Sequence, residues 1–116
     1  MYIKGPKYRL TEKEVLEHVS EEPGVFELWE NCNILIFYDV TRTSLRKQLL
    51  KCVVDYSEQT KTATHFAFEV TTAENADARL GELMSDYVSF HRELPPANDI
   101  TRPFRPVPPK SRRGRR

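Results

Sequence analysis

Between Gly24 and Tyr38 the chain reads GVFELWE, then NCN, then ILIFY. The first segment alternates, so Phe26 and Leu28 point one way and Glu27 and Trp29 the other. Asn31-Cys32-Asn33 suits a tight turn, because Asn tolerates positive φ. Ile34 to Tyr38 is apolar throughout, the pattern of a strand covered on both faces. Two strands joined by three residues must be antiparallel neighbours. This hairpin constrains the fold more than any other feature, because the rest of the chain has to cover it.

The flanking segments predict helices. Thr11 and Glu14 form a capping-box pattern, and Leu10 with Val15 a hydrophobic staple. A helix is predicted over about residues 12–20, with Val15, Leu16 and Val19 as its apolar face and Pro23 beyond its end. Residues 1–9 read as an irregular lead-in. After the hairpin, Thr43 or Ser44 can cap a helix whose apolar stripe is Leu45, Leu49, Cys52, Val53 and Tyr56. THFAFEV alternates as a third strand. Thr71 or Thr72 opens a last helix buried through Ala73, Ala76, Leu80, Leu83, Met84, Tyr87 and Phe90. Leu94-Pro95-Pro96 ends it. The expected fold is α/β (α+β): a small three-stranded antiparallel sheet flanked by helices in the order α-β-β-α-β-α. The expected organisation is a lead-in over 1–10, one domain over 11–98 and a tail over 99–116.

Charge separates that tail from the body. Arg102, Arg105, Lys110, Arg112, Arg113, Arg115 and Arg116 lie in residues 101–116, which contain no acid. Residues 1–100 keep eleven basic and seventeen acidic residues, a net of −6. A cationic arm on an acidic body points to a nucleic-acid partner, and with so little to bury the arm is expected to be extended or disordered. The same arm reads also as a solubility tail, or as one resting on the acidic body. Pro103 with Pro106, and Pro106 with Pro109, supply P-x-x-P spacings. No apolar run reaches the roughly 18 residues of a membrane span, and MYIKGPKYRL lacks a secretory pattern. Cys32 and Cys52 read as free thiols, and scattered His18, His65 and His91 do not make a metal set. Those features imply an intracellular, reducing setting such as the cytoplasm, with no membrane partner.

In their local sequence, residues 22–98 resemble the GIY-YIG nuclease domain. Gly24-Val25-Phe26 after Pro23 matches the first motif, and Phe37-Tyr38-Asp39 the second. Thr41 to Leu49 is similar to the turn and helix that follow, Thr64-His65-Phe66 to a third-strand segment, and Pro95-Pro96-Ala97-Asn98 to the closing pattern. The resemblance implies phosphodiester hydrolysis through two tyrosines, an arginine, a metal-binding glutamate and an asparagine. A phosphoryl transition state needs such cationic clamps and a polarised water. Carried over one by one, the tyrosines fall on Phe26 and Phe37, the arginine on Gln48 and the glutamate on Leu80; Asn98 alone is kept. The second motif's glycine falls on Asp39, a negative charge where a phosphate would arrive. Arg46 and Glu82 each lie two helical residues away, about 200° around the axis. Tyr38 is one strand residue off and faces the other side of the sheet.

The expectation is therefore a catalytically degenerate domain, without cofactor or metal, that binds DNA or RNA through its tail. One alternative is a divergent nuclease that uses magnesium with Glu82 or Asp39. Another is a subunit of a larger complex whose acidic body docks a basic partner. Phe26 and Phe37 read either as core or as a base-stacking platform. Arg46, Lys47 and Lys51 read either as a solvated helix face or as phosphate grips.

Overall fold

The computed structural model describes residues 2–54 and 60–98. Its elements are β1 (Tyr8–Arg9), α1 (Glu12–His18), β2 (Gly24–Glu30), β3 (Ile34–Thr41), α2 (Leu45–Val54), β4 (His65–Val70) and α3 (Ala73–His91), then a 3₁₀ turn over Pro96–Asn98. They form a mixed α/β unit around one antiparallel sheet ordered β1-β4-β2-β3. Four strands replace the expected three. The addition is β1, which pairs Tyr8 with Phe66 and Arg9 with His65. Two residues are too few to show a period, so the lead-in read as irregular. Tyr56 and the tail residues Arg102, Arg105, Lys110, Arg112, Arg113, Arg115 and Arg116 lie outside the described residues.

The hairpin forms as its sequence dictates. Asn31 and Cys32 both take left-handed backbones (φ 54° and 67°), and Asn33 N–H donates to the Glu30 carbonyl at 3.3 Å. That is the geometry of a primed turn, whose twist matches the strands it joins. Thr64 pins the turn from outside, its Oγ1 accepting from Asn31 N–H at 2.7 Å. A bulge between Leu28 and Trp29 shifts the β2–β3 register, so Leu28 opposes Phe37 while Trp29 opposes Leu35.

β2 is the central strand, and both its faces are covered. Phe26 and Leu28 pack with Val15, Leu45, Leu49 and Phe66 beneath α1 and α2. Val25 and Trp29 pack with Leu83 and Tyr87 of α3. Each fully buried side chain of this size contributes roughly 1.5–3 kcal/mol. Helix caps fix the lengths of the covering elements. Thr11 Oγ1 accepts from Glu14 N–H and Thr72 Oγ1 from Asn75 N–H, both at 3.2 Å, while Ser44 Oγ accepts from Lys47 N–H at 3.1 Å. α1 ends at His18, two residues early, and leaves Leu16 exposed. Phe90 is also exposed rather than buried, because the last turn of α3 lies beyond the apolar cluster that holds Leu83 and Tyr87. Among the described residues, no helix is long and apolar enough to cross a membrane.

Gly24 opens β2 where backbones crowd. A Cβ there would sit 2.2 Å from the Glu69 carbonyl oxygen and 2.7 Å from Leu45 Cδ1. Gly81, in the middle of α3, has nothing within 4 Å of such a Cβ. Opposite outcomes follow for the same substitution. Gly24→Ala should destabilise the fold by about 2–4 kcal/mol through overpacking against backbone. Gly81→Ala should stabilise it by about 1 kcal/mol through helix propensity. Urea melts of the two variants against the parent protein measure both.

Candidate functional site

The five positions carried over from the nuclease pattern separate into four places. Phe26 and Phe37 lie together beneath α1 and α2, ring centroids 6.4 Å apart, Phe26 fully buried and Phe37 half-buried. Their rings act as core packing. Gln48, half-buried on α2, donates its backbone N–H to the Ser44 carbonyl at 3.1 Å. Leu80 packs on the opposite side of the sheet, against the cluster of Val25, Trp29 and Leu83. Asn98 does neither job. Its Oδ1 accepts from Tyr38 N–H and its Nδ2 donates to the Tyr38 carbonyl, both at 2.8 Å. The side-chain amide thus mimics a neighbouring strand and caps the free edge of β3.

The displaced neighbours are already engaged. Arg46 Nε donates to the Val19 carbonyl at 2.8 Å, and its Nη1 lies 3.7 Å from Glu21. Glu82 pairs with Arg79 at 3.0 Å, and Arg79 also grips Glu69 with two bonds of 2.8 and 3.1 Å. Asp39 sits in extended strand within β3, without the positive φ that a glycine at this position would allow. Its carboxylate accepts from Val40 N–H at 2.8 Å. Burial raises the Asp39 carboxyl above its ordinary range, against the lowering effect of that bond. Burial, and then the Asp39 charge, push the Cys52 thiol up to about 11, so Cys52 is a poor nucleophile near neutral pH. Lys47 and Lys51 are exposed beside Leu50, Val54 and Glu12, along a groove between α1 and α2 of ≈ 430 Å³.

Two other clusters carry titratable groups. Glu14, Glu17 and His18 bring their ligand atoms within 4.8 Å of one another on the surface of α1, where His18 stacks on Tyr8 at 4.1 Å. The second cluster is enclosed. Glu27 is fully buried on the α3 side of β2, Oε2 accepting from Ile3 N–H at 2.7 Å and Oε1 from Trp29 Nε1 at 2.9 Å. Burial raises its carboxyl above the ordinary value, opposed by those two bonds, then by Tyr38 and the Lys7 charge. The Tyr38 hydroxyl lies close enough to feel the Glu27 charge, but meets no partner at hydrogen-bond geometry. Burial foremost, and then Glu27, keep that phenol protonated. His65 is held towards its neutral form by desolvation, then by Arg9 and Lys7, and its Nδ1 lies 2.7 Å from Thr64 Oγ1. The sequence carried a signal for Glu27 that its polarity concealed. Val25 and Trp29 flank it with the same parity, so the face it shares with them had to be covered.

No family model, curated protein or solved structure matches the chain.

Two substitutions separate packing from chemistry here. Asn98→Ala should cost about 1–2 kcal/mol, because it removes two hydrogen bonds and uncaps a strand edge. Tyr38→Phe should be neutral or stabilise by up to about 1 kcal/mol, because it deletes a buried hydroxyl without a partner. Thermal denaturation reads both, each 1 kcal/mol moving the midpoint by about 4–8 °C in a domain of this size.

Proposed function

We propose that the chain is a catalytically silent GIY-YIG-like domain that carries a cationic arm to DNA or RNA. Three observations support this reading. From β2 to α3 the elements run strand, strand, helix, strand, helix, in part the expected order, which β1 extends at one edge. The two aromatic positions stay adjacent, at 6.4 Å, without hydroxyls. The candidate substitutes Arg46 and Glu82 are each held by another partner, so phosphate or metal would have to displace it. The last of these carries the argument. The cleavage that the resemblance implies needs positive charge and a metal carboxylate aimed at one phosphate, and losing even one transition-state donor costs about 10²–10³ in rate.

The arm supplies the affinity in this reading. Seven cations without an acid release counterions when they meet phosphates. The dependence on salt then identifies the interaction. For a duplex oligonucleotide, log K should fall against log[salt] with a slope no steeper than about −6, from roughly 0.9 per cation engaged. Replacing Arg102, Arg105, Lys110, Arg112, Arg113, Arg115 and Arg116 by Gln should flatten that slope and abolish measurable binding. Binding that survives the replacement would move the interface to the body. Magnesium-dependent strand cleavage lost on Glu82→Ala would favour the divergent nuclease.

A further inference from the structure

Residues 2–7 have no regular secondary structure, yet they are tied to the sheet. Ile3 is buried in the cluster beneath α3, and its N–H reaches the Glu27 carboxylate at 2.7 Å. The Tyr2 ring meets Trp29 edge-on at 5.1 Å, and Lys7 Nζ lies 4.2 Å from the centre of the same indole. Trp29 in turn donates to Glu27 at 2.9 Å. Between Ile3 and Lys7, Lys4, Gly5 and Pro6 are exposed, and Gly5 has φ 124°. The segment is therefore a short strap fastened at Ile3 and Lys7, with a single buried carboxylate beneath the first fastening.

We propose that residues 2–7 lift from the sheet as a unit in response to pH, with the Glu27 carboxyl as the latch. Lifting admits water to Glu27 and to the Tyr38 hydroxyl and bares one face of Trp29. It breaks the Ile3–Glu27 hydrogen bond, removes Ile3 from the core and parts Tyr2 and Lys7 from the Trp29 indole, while β2, β3, β4 and α3 keep their own pairings. Local openings of this limited size lie well below the cost of global unfolding. The groups facing Glu27 are Lys7 from the strap, Trp29 on β2 and Tyr38 on β3, with Tyr2 of the strap and Tyr87 on α3 beyond Tyr38. Glu27 is the one carboxyl among them. His65, opposite Trp29 on β4, titrates nearby and needs a control.

The direction of the response follows from burial. With the strap closed, Glu27 binds its proton more tightly than an ordinary carboxyl, whose value is 4.5. With the strap open the group is hydrated and returns towards that value. The closed form is thus fully favoured below 4.5 and weakens as pH rises to the closed-state value. Across that interval the opening constant grows by up to about tenfold per pH unit, and above it becomes level. The strap does not depend on the nucleic-acid reading.

Amide hydrogen exchange on the intact chain tests this. The protection factor of the Ile3 amide, corrected for base catalysis, should fall by up to about tenfold per pH unit above pH 4.5 and then level off. The amides of Leu28 and Phe66 should stay protected throughout. Emission from Trp29, the single tryptophan of the chain, should shift over the same interval at constant far-ultraviolet circular dichroism. The shift should persist in His65→Gln and vanish in Glu27→Gln. Ile3 protection that tracks Leu28 at every pH would overturn the proposal, as would a pH step retained in Glu27→Gln. If that variant does not fold, the comparison of Ile3 with Leu28 in the parent protein decides alone.

Discussion

The structure depends on burying β2 on both faces. A central strand with large side chains at both parities cannot lie on a one-sided sheet. It requires helices above and below, and α1, α2 and α3 answer that need. Most other features are consequences. Gly24 must lack a side chain because β4 and α2 close over the start of the strand. Glu27 must be enclosed because its neighbours Val25 and Trp29 are. Asn98 matters because β3, on the outside of β2, would otherwise present bare backbone groups.

That packing also decides what the nuclease-like positions can do. Phe26 and Phe37 share a face and Leu80 lies on the other, while Asn98 stands at the edge and binds main chain. The side chains at these positions serve to fill volume or satisfy backbone. The neighbouring charges follow the same logic, since Arg79 is held between Glu69 and Glu82. An arginine already held by two carboxylates offers little to a polyanion. The acidic balance of residues 1–100 points the same way.

The hairpin, the helix caps at Thr11 and Thr72 and the apolar stripe of α3 were legible because each rests on local chemistry: positive φ at Asn31, hydroxyl caps, and a 3.6-residue period. What escaped was set by tertiary contacts. β1 is only two residues long and exists through its pairing with Phe66 and His65. Phe90 fits the helical stripe, but the packed cluster ends before it. Asn98 matched a sequence pattern, and only its two bonds to Tyr38 reveal that it works on the backbone. Glu27 was readable in principle, from the apolar residues two places to either side of it.

The most direct test of the central claim is a titration of the isotope-labelled full-length chain with an oligonucleotide in the presence of magnesium, followed residue by residue by NMR. A silent scaffold with a binding arm predicts shifts confined to the amides of residues 99–116, with Phe26, Phe37, Asp39 and Glu82 unmoved. Shifts converging on Asp39 and Glu82, accompanied by cleavage of the strand, would contradict it.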